Sequence, residues 1–150
     1  MRTASKKLIE KENESYITGL GRKQAKLSRK LLELDDKKEQ VIKKIVTDKT
    51  NIENNPKELR EYISNSESVL ESIDAVFKNL VELQKCYRDI EDYNLFSKKN
   101  KEKNPKSSVD ELAKKIDNAK NLEKTTFDDN EKNMLIVDSF LEQFSEQETY

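Results

Sequence analysis

The sequence contains no histidine and only one cysteine among its 150 residues. Histidine is the side chain that most often serves as a general base near neutral pH, so the commonest acid–base chemistry is missing. The lone Cys86 cannot form an intrachain disulfide, and without histidine it cannot complete the usual zinc sites. We interpret Cys86 as a buried or half-buried small side chain in preference to a reactive thiol.

Glycine and proline occur only twice each, which leaves few residues for tight turns and disfavours an all-β or α/β fold. The two glycines, Gly19 and Gly21, form no phosphate-binding motif, and no serine lies in a nucleophile elbow. The acidic residues of 128–131 lack the ligand spacing of a calcium loop. We therefore predict that the protein is not an enzyme and has no catalytic residues, no cofactor and no metal site.

Long apolar runs are also absent. No segment approaches the roughly 18 consecutive apolar residues of a membrane helix, so we predict no membrane span. The first residues lack the apolar core of a signal peptide. The expected location is the cytoplasm, or outside the cell if a signal peptide has been trimmed from the chain.

Charged residues make up 39% of the chain and hydrophobic residues 33%, a balance that suits long helices with wide polar faces. The net charge is only −1 and the apolar residues recur at regular spacings, which disfavours wholesale disorder. Taken together, the composition favours helices that bury one narrow face each.

The segment from Leu59 to Phe96 has the most regular apolar pattern, with spacings of three and four that predict a helix over about 56–97. Asn55, Pro56 and Glu58 form a capping-box start for it. Its heptad a and d positions hold Leu59, Tyr62, Val69, Ile73, Val76, Leu80, Leu83, Tyr87 and Ile90. Ile63, Leu70 and Phe77 add a third apolar column at e, which indicates burial against two neighbours.

The first segment predicts a helix over about 5–52, with two columns of apolar residues that are spaced seven residues apart or a multiple of seven. One column holds Ile17, Leu31, Ile45 and Ile52, and the other holds Leu20, Leu27, Leu34 and Val41. Polar residues at 24, 38 and 48 interrupt these columns, a device that helps to fix register in coiled coils. Gly19 and Gly21 indicate either a soft spot or kink, or a close contact with another helix or with a partner.

The last segment predicts a helix over about 108–146, preceded by a basic loop at 98–106. A weak patch near 125–130 leaves two possibilities, one long helix or two helices with a break. The spacing of Val109, Ile116, Val137 and Phe144, all multiples of seven apart, favours one helix.

Three helical segments of similar length joined by short connections predict an all-α fold, an elongated antiparallel three-helix bundle or coiled coil with up-down-up topology. We expect one domain over 1–150. Residues 1–50 hold 14 basic and 8 acidic residues, whereas residues 106–150 hold 6 and 11. In such a bundle these oppositely charged segments lie side by side, which helps to specify their pairing.

The leading functional hypothesis is a non-enzymatic protein–protein interaction module: an adaptor, a secretion-type chaperone or a small coiled-coil subunit of a larger complex. Its partner is expected to be another protein, helical in the simplest case, or a second copy of the chain. Aromatic residues and methionine are favoured anchors in such contacts. The candidate partner-binding residues are Tyr62, Phe77, Tyr87, Phe96, Met134, Leu135, Phe140 and Phe144. For all of them, burial in the core is the competing interpretation.

Two other functional classes are also compatible with the sequence. The first is a secreted or surface-exposed microbial helical protein that binds a ligand, which the abundance of lysine, asparagine, isoleucine and glutamate would fit. The second is an accessory protein that binds nucleic acid or a membrane surface through residues 1–50 and the basic loop. Mixed charges along 1–50, and the lack of aromatic residues in the loop, make nucleic-acid binding the weakest of these hypotheses.

Overall fold

The structure is a computed structural model that describes the backbone of residues 2–99 and 105–148 and the side chains of residues 8–98 and 109–143. Over these residues the chain is helical, and the prediction of an all-α fold is confirmed. The helices are α1 (Arg2–Thr18), α2 (Leu20–Ile52), α3 (Pro56–Lys99) and α4 (Pro105–Glu148).

The prediction of three helices is wrong, because the described chain contains four. A single residue, Gly19, separates α1 from α2. Its amide donates hydrogen bonds to the carbonyls of both Ser15 (3.1 Å) and Tyr16 (3.2 Å), and its carbonyl accepts one from the amide of Lys23 (3.1 Å). The hydrogen bonds thus continue across a local irregularity, which is what glycine permits in a helix.

At the glycine pair, the structure shows a soft spot at Gly19 and no close contact with another helix of the described chain. A Cβ built on Gly21 would meet nothing within 4 Å, and one on Gly19 would meet only carbonyl oxygens of its own turn at 3.6 Å. No neighbouring helix therefore depends on the missing side chains.

Gly21→Ala is therefore expected to raise the free energy of unfolding by about 0.5–1 kcal/mol, because alanine restricts the unfolded chain and fits the helix without a clash. Urea unfolding followed by circular dichroism measures the change. Ala25→Gly, at another exposed position of α2, is the reverse control and is expected to lower stability by a similar amount. A loss of stability in Gly21→Ala would contradict the open surroundings described above.

The start of α3 has the cap that the sequence predicts. The backbone amide of Glu58 donates a hydrogen bond to the side-chain oxygen of Asn55 (3.3 Å), and the amide of Leu59 donates to the carbonyl of Asn55 (3.0 Å). Pro56 occupies the first helical position. Only residues 53–55 separate α2 from α3, so the two helices form an antiparallel hairpin.

The weak patch near 125–130 lies inside α4, which continues through it without a break. The hydroxyl of Thr125 donates to the carbonyl of Asn121 (2.7 Å), one turn back along the helix, and Thr126 is buried. Of the predicted basic loop at 98–106, residues 100–104 lie outside the described residues. The helix that was expected from about 108 begins earlier, at Pro105.

The chain divides into two compact units, the first built from segments of all four helices and the second from segments of α2, α3 and α4. Unit 1 comprises Met1–Ser28 and Val81–Thr125, and unit 2 comprises Arg29–Leu80 and Thr126–Tyr150. The core of unit 1 includes Tyr16, Leu20, Leu27, Leu83, Tyr87, Ile90, Ile116 and Ala119. The core of unit 2 includes Leu34, Val41, Ile45, Val69, Ile73, Val76, Leu80, Val137 and Phe140. The assignment of one domain to residues 1–150 stays a prediction.

Candidate interaction surface

In unit 2, one flank of α2 faces α4. Three lysines spaced seven residues apart make this contact: Lys30, Lys37 and Lys44. The ammonium group of Lys30 lies 4.8 Å from the centre of the Phe127 ring, and that of Lys37 donates a hydrogen bond to Asp138 (2.7 Å). Lys44 donates to the backbone carbonyl of Phe140. These contacts fix which side of α2 is covered.

Apolar residues occupy the opposite flank of α2. Ile42 is 44% exposed and Val46 is 62% exposed, and both lie outside the two apolar columns predicted for this segment. Leu31, eleven residues before Ile42, projects in nearly the same direction and is half-buried. A helix flank that faces only solvent normally carries polar side chains, so these apolar residues are unusual there.

Helix α3 shows the same asymmetry in unit 2. Its flank toward α4 is marked by Asn79, whose side-chain amide donates a hydrogen bond to Asn130 (3.2 Å). The e column lies on the other flank. There Phe77 is 43% exposed, and Ile63 and Leu70 are only half-buried.

The two apolar flanks belong to neighbouring antiparallel helices. The Tyr62 hydroxyl on α3 donates a hydrogen bond to Asp48 on α2 (2.5 Å). This bond shows which residues of the two helices lie side by side. We call the combined surface the apolar strip and define it by Leu31, Ile42, Val46, Ile63, Leu70 and Phe77. From residue 31 to residue 46 it extends about 22 Å along α2. It therefore has the length of about four turns of a further helix.

Charged groups inside unit 2 are paired. Asp48, which is buried, accepts the Tyr62 hydroxyl bond and lies 3.8 Å from the ammonium group of Lys44. Burial lowers the pKa of Lys44, and the nearby Asp48 carboxylate partly opposes that shift. The Tyr62 and Phe140 rings pack with centroids 5.9 Å apart. This arrangement holds α2, α3 and α4 in register within unit 2.

Unit 1 has a polar cluster at its centre. Three side chains donate hydrogen bonds to the same carboxylate oxygen, Oε1 of Glu123: the hydroxyls of Tyr16 (2.7 Å) and Tyr87 (2.6 Å) and the ammonium group of Lys23 (2.8 Å). Lys23 also lies 4.0 Å from the centre of the Tyr16 ring. Only 15% of the Glu123 side chain is exposed. Residues of α1, α2, α3 and α4 thus meet at one oxygen atom.

Electrostatics within this cluster follow from burial and hydrogen bonding. Burial alone would raise the pKa of Glu123, but the hydrogen bonds from Lys23, Tyr87 and Tyr16 offset it, and the net direction is downward. Burial and the bond to Glu123 raise the pKa of both tyrosines. Burial also raises the pKa of the half-buried Cys86 thiol, with Asp89 and Glu82 adding to the effect. With three donors bound to one carboxylate oxygen, the cluster links the four helical segments of unit 1.

The candidate partner-binding residues are found in different surroundings. Tyr87 (2% exposed) and Phe140 (7%) are core side chains of units 1 and 2. Phe77, Phe96 and Leu135 are exposed, and Tyr62 and Met134 are half-buried. The side chain of Phe144 lies outside the described residues. Of this set, the structure places Phe77 in the apolar strip, and partner binding by all of them stays a prediction.

A second apolar surface lies in unit 1, between the C-terminal half of α1, the end of α3 and the start of α4. An open groove of about 500 Å³ has Ile17, Val109 and Leu112 among its apolar walls, with Glu10 and Glu14 at its rim. The large hydrophobic side chains exposed in this unit are Leu8, Ile9, Leu95, Phe96 and Val109. These residues come from the same three helices as the groove walls.

Sequence reasoning missed both the α2 half of the apolar strip and the Glu123 cluster. For the strip, the available signal was a pair of apolar residues four apart, Ile42 and Val46, outside the predicted columns. For the cluster, the signal was that Glu123 stands seven residues after Ile116, in the same column as Val109 and Val137.

Comparisons with protein-family models, curated proteins and solved structures find no match to this chain. Among the residues that the structure describes, no three acidic or cysteine side chains are grouped so that they would hold a metal ion. Within the same residues, no helix has the length and apolar character needed to cross a membrane.

Proposed function

We propose that this protein is a non-enzymatic helical interaction module, an adaptor, chaperone or complex subunit that binds another protein through the apolar strip. One observation carries the proposal: apolar side chains on adjacent flanks of α2 and α3 remain half-buried or exposed, although neighbouring positions from Val41 to Ile45 and from Val69 to Leu80 supply buried core residues. A third apolar column on a helix is typical of burial against a second neighbour. In unit 2 that neighbour is missing from one side, and a bound protein would supply it.

Energetics support the same proposal. Full burial of one large aliphatic or aromatic side chain contributes about 1.5–3 kcal/mol, so six partly exposed side chains offer enough apolar area for a specific helix contact. The polar groups of the Glu123 cluster and the Asp48–Tyr62 pair bond to one another inside the two units, whereas the strip keeps partly exposed apolar side chains. The proposed location of the protein is the cytoplasm. The simplest partner is another helical protein.

A site-specific crosslinking experiment tests the proposal. A photoreactive amino acid is introduced at Ile42, in the strip, or at Gln40, which is also exposed but projects from the opposite side of α2. Both variants are expressed in the native cells at equal levels and irradiated. We expect one discrete crosslinked protein from position 42 and none from position 40. Equal crosslinking from both positions, or none from either, would contradict the strip as a binding surface.

A further inference from the structure

We propose that the occupant of the apolar strip is an amphipathic helix from a different protein, with lysine or arginine residues beside its apolar seam. This inference rests on the proposed function and adds the chemistry of the partner. It is drawn from the charges that border the strip.

The middle of the strip is bordered by exposed carboxylates on both helices. On α2, Asp35 and Glu39 stand one heptad before Ile42 and Val46, in the same two columns. On α3, Glu67 lies four residues after Ile63 and three before Leu70. Asp74 likewise lies four residues after Leu70 and three before Phe77. The side chains of Asp35, Glu39, Glu67 and Asp74 are all exposed.

Basic residues are placed differently along the strip. Lys38 lies near its middle, whereas Lys49 and Arg60 lie at the end close to Val46 and Ile63. Carboxylates therefore outnumber basic groups by four to one around the middle turns. A partner helix gains from positive charge at those turns and from neutral or acidic residues toward the hairpin end.

The same charges disfavour a second copy of this chain as the occupant. In a two-fold symmetric dimer with its axis through the middle of the strip, that middle faces its own copy, and residues away from the axis pair reciprocally with other residues. The acidic middle of one strip would then lie against the acidic middle of the other. Like charges held across an interface are destabilising, so the pattern favours a partner of opposite charge.

The size of the strip defines the partner segment. A length of about 22 Å corresponds to about 15 residues of helix, long enough for two heptads of apolar contacts. Placed between α2 and α3, such a helix would complete a four-helix arrangement within unit 2, on the face away from α4. The partner is thus expected to present apolar residues at i, i+3, i+4 and i+7, with basic residues flanking them.

Designed peptides test the inference on the full chain. Two stapled helical peptides of about 18 residues share the same leucine and isoleucine seam but carry either lysine or glutamate at the flanking positions. Fluorescence anisotropy measures their Kd for the protein at low and at higher salt. The protein variants are D35N/E39Q/E67Q/D74N, a control with the exposed carboxylates of α4 neutralised (D128N/D129N/E131Q), and the strip variant I42S/F77S.

We expect the lysine-flanked peptide to bind about tenfold more tightly than the glutamate-flanked one, with a preference that weakens as salt rises. This preference should shrink to about twofold in the four-residue variant and stay unchanged in the α4 control. In I42S/F77S, both peptides should lose binding.

Each other outcome overturns the inference in a recognisable way. Equal binding of both peptides, lost in I42S/F77S, would refute the charge argument and leave the proposed function standing. Binding of neither peptide would count against both proposals. Lysine-peptide binding that survives I42S/F77S would mean non-specific electrostatic attraction, and a dimer in light scattering that I42S/F77S dissociates would identify a second copy as the occupant.

Discussion

Glu123→Ala is expected to lower the free energy of unfolding by about 3 kcal/mol, the largest effect of any single substitution that we predict. The change removes the acceptor of three hydrogen bonds at once, from Tyr16, Tyr87 and Lys23. Both tyrosines are buried in the core of unit 1, so their hydroxyls would lose a partner away from water. Leaving buried donors and a partly buried charge unpaired costs more than a typical hydrogen bond contributes.

Two controls separate charge from geometry. Glu123→Gln retains an oxygen acceptor of the same shape but removes the charge, and we expect a loss of about 1–2 kcal/mol. Glu131→Ala alters an exposed glutamate on the same helix and should stay within about 0.5 kcal/mol of the parent protein. Chemical denaturation followed by circular dichroism measures all three. Similar values for Glu123→Ala and Glu131→Ala would show that the cluster does not stabilise the fold.

Acid pH gives an independent check on the same residue. The pKa of Glu123 is lowered in the folded state, from an ordinary value of 4.5. Its contribution to stability is therefore fully present above that ordinary value and is lost as the pH falls through the folded value. Parent and Glu123→Gln proteins should differ at neutral pH and converge in stability under strongly acidic conditions. A constant difference across this range would contradict the assigned ionisation.

The helix pattern explains how much of this site the sequence could reveal. A column of residues seven apart runs through α4 as Val109, Ile116, Glu123, Asn130 and Val137. Its two polar members both form hydrogen bonds between helices, Glu123 to three donors and Asn130 to Asn79. A polar residue within an apolar column therefore indicated the position of each interhelical contact. The column did not identify the residues that it bonds to, because these depend on how far the helices are shifted along one another.

The apolar faces were predictable to a similar extent. Column spacing predicts that Tyr87 and Phe77 both face inward, yet Tyr87 is 2% exposed and Phe77 is 43% exposed. The difference arises because an e position is buried only if a second helix covers that flank, and the sequence does not specify whether one does. In the same way, the pattern of 5–52 predicts a helix but not that Gly19 alone would interrupt it.

Raising the pH above about 10 is expected to unfold the protein through three tyrosines. Tyr16, Tyr62 and Tyr87 have pKa values raised above the ordinary 10.0, in each case first by burial and then by a hydrogen bond to a carboxylate. That carboxylate is Glu123 for two of them and Asp48 for Tyr62. A phenolate next to a carboxylate in the core is strongly disfavoured, so the folded protein keeps these hydroxyls protonated.

The unfolded chain has no such constraint, and its tyrosines ionise near their ordinary pKa. A folded-state pKa that is raised leaves stability intact below the unfolded value and lost above it. Each tyrosine then removes up to about 1.4 kcal/mol per pH unit, and three together remove about 4 kcal/mol per pH unit. Since small domains are stable by only about 5–15 kcal/mol, helix loss should follow within a few pH units.

Simultaneous recording of tyrosinate absorbance and helical circular dichroism during an alkaline titration tests this prediction. We expect a large part of the tyrosinate signal to rise together with the loss of helix, because these hydroxyls ionise on unfolding. Tyr62→Phe should reduce the dependence of the unfolding free energy on pH by about one third, since one of the three groups no longer ionises. Complete tyrosine ionisation while the helices stay intact would mean that the three hydroxyls are accessible in the folded protein.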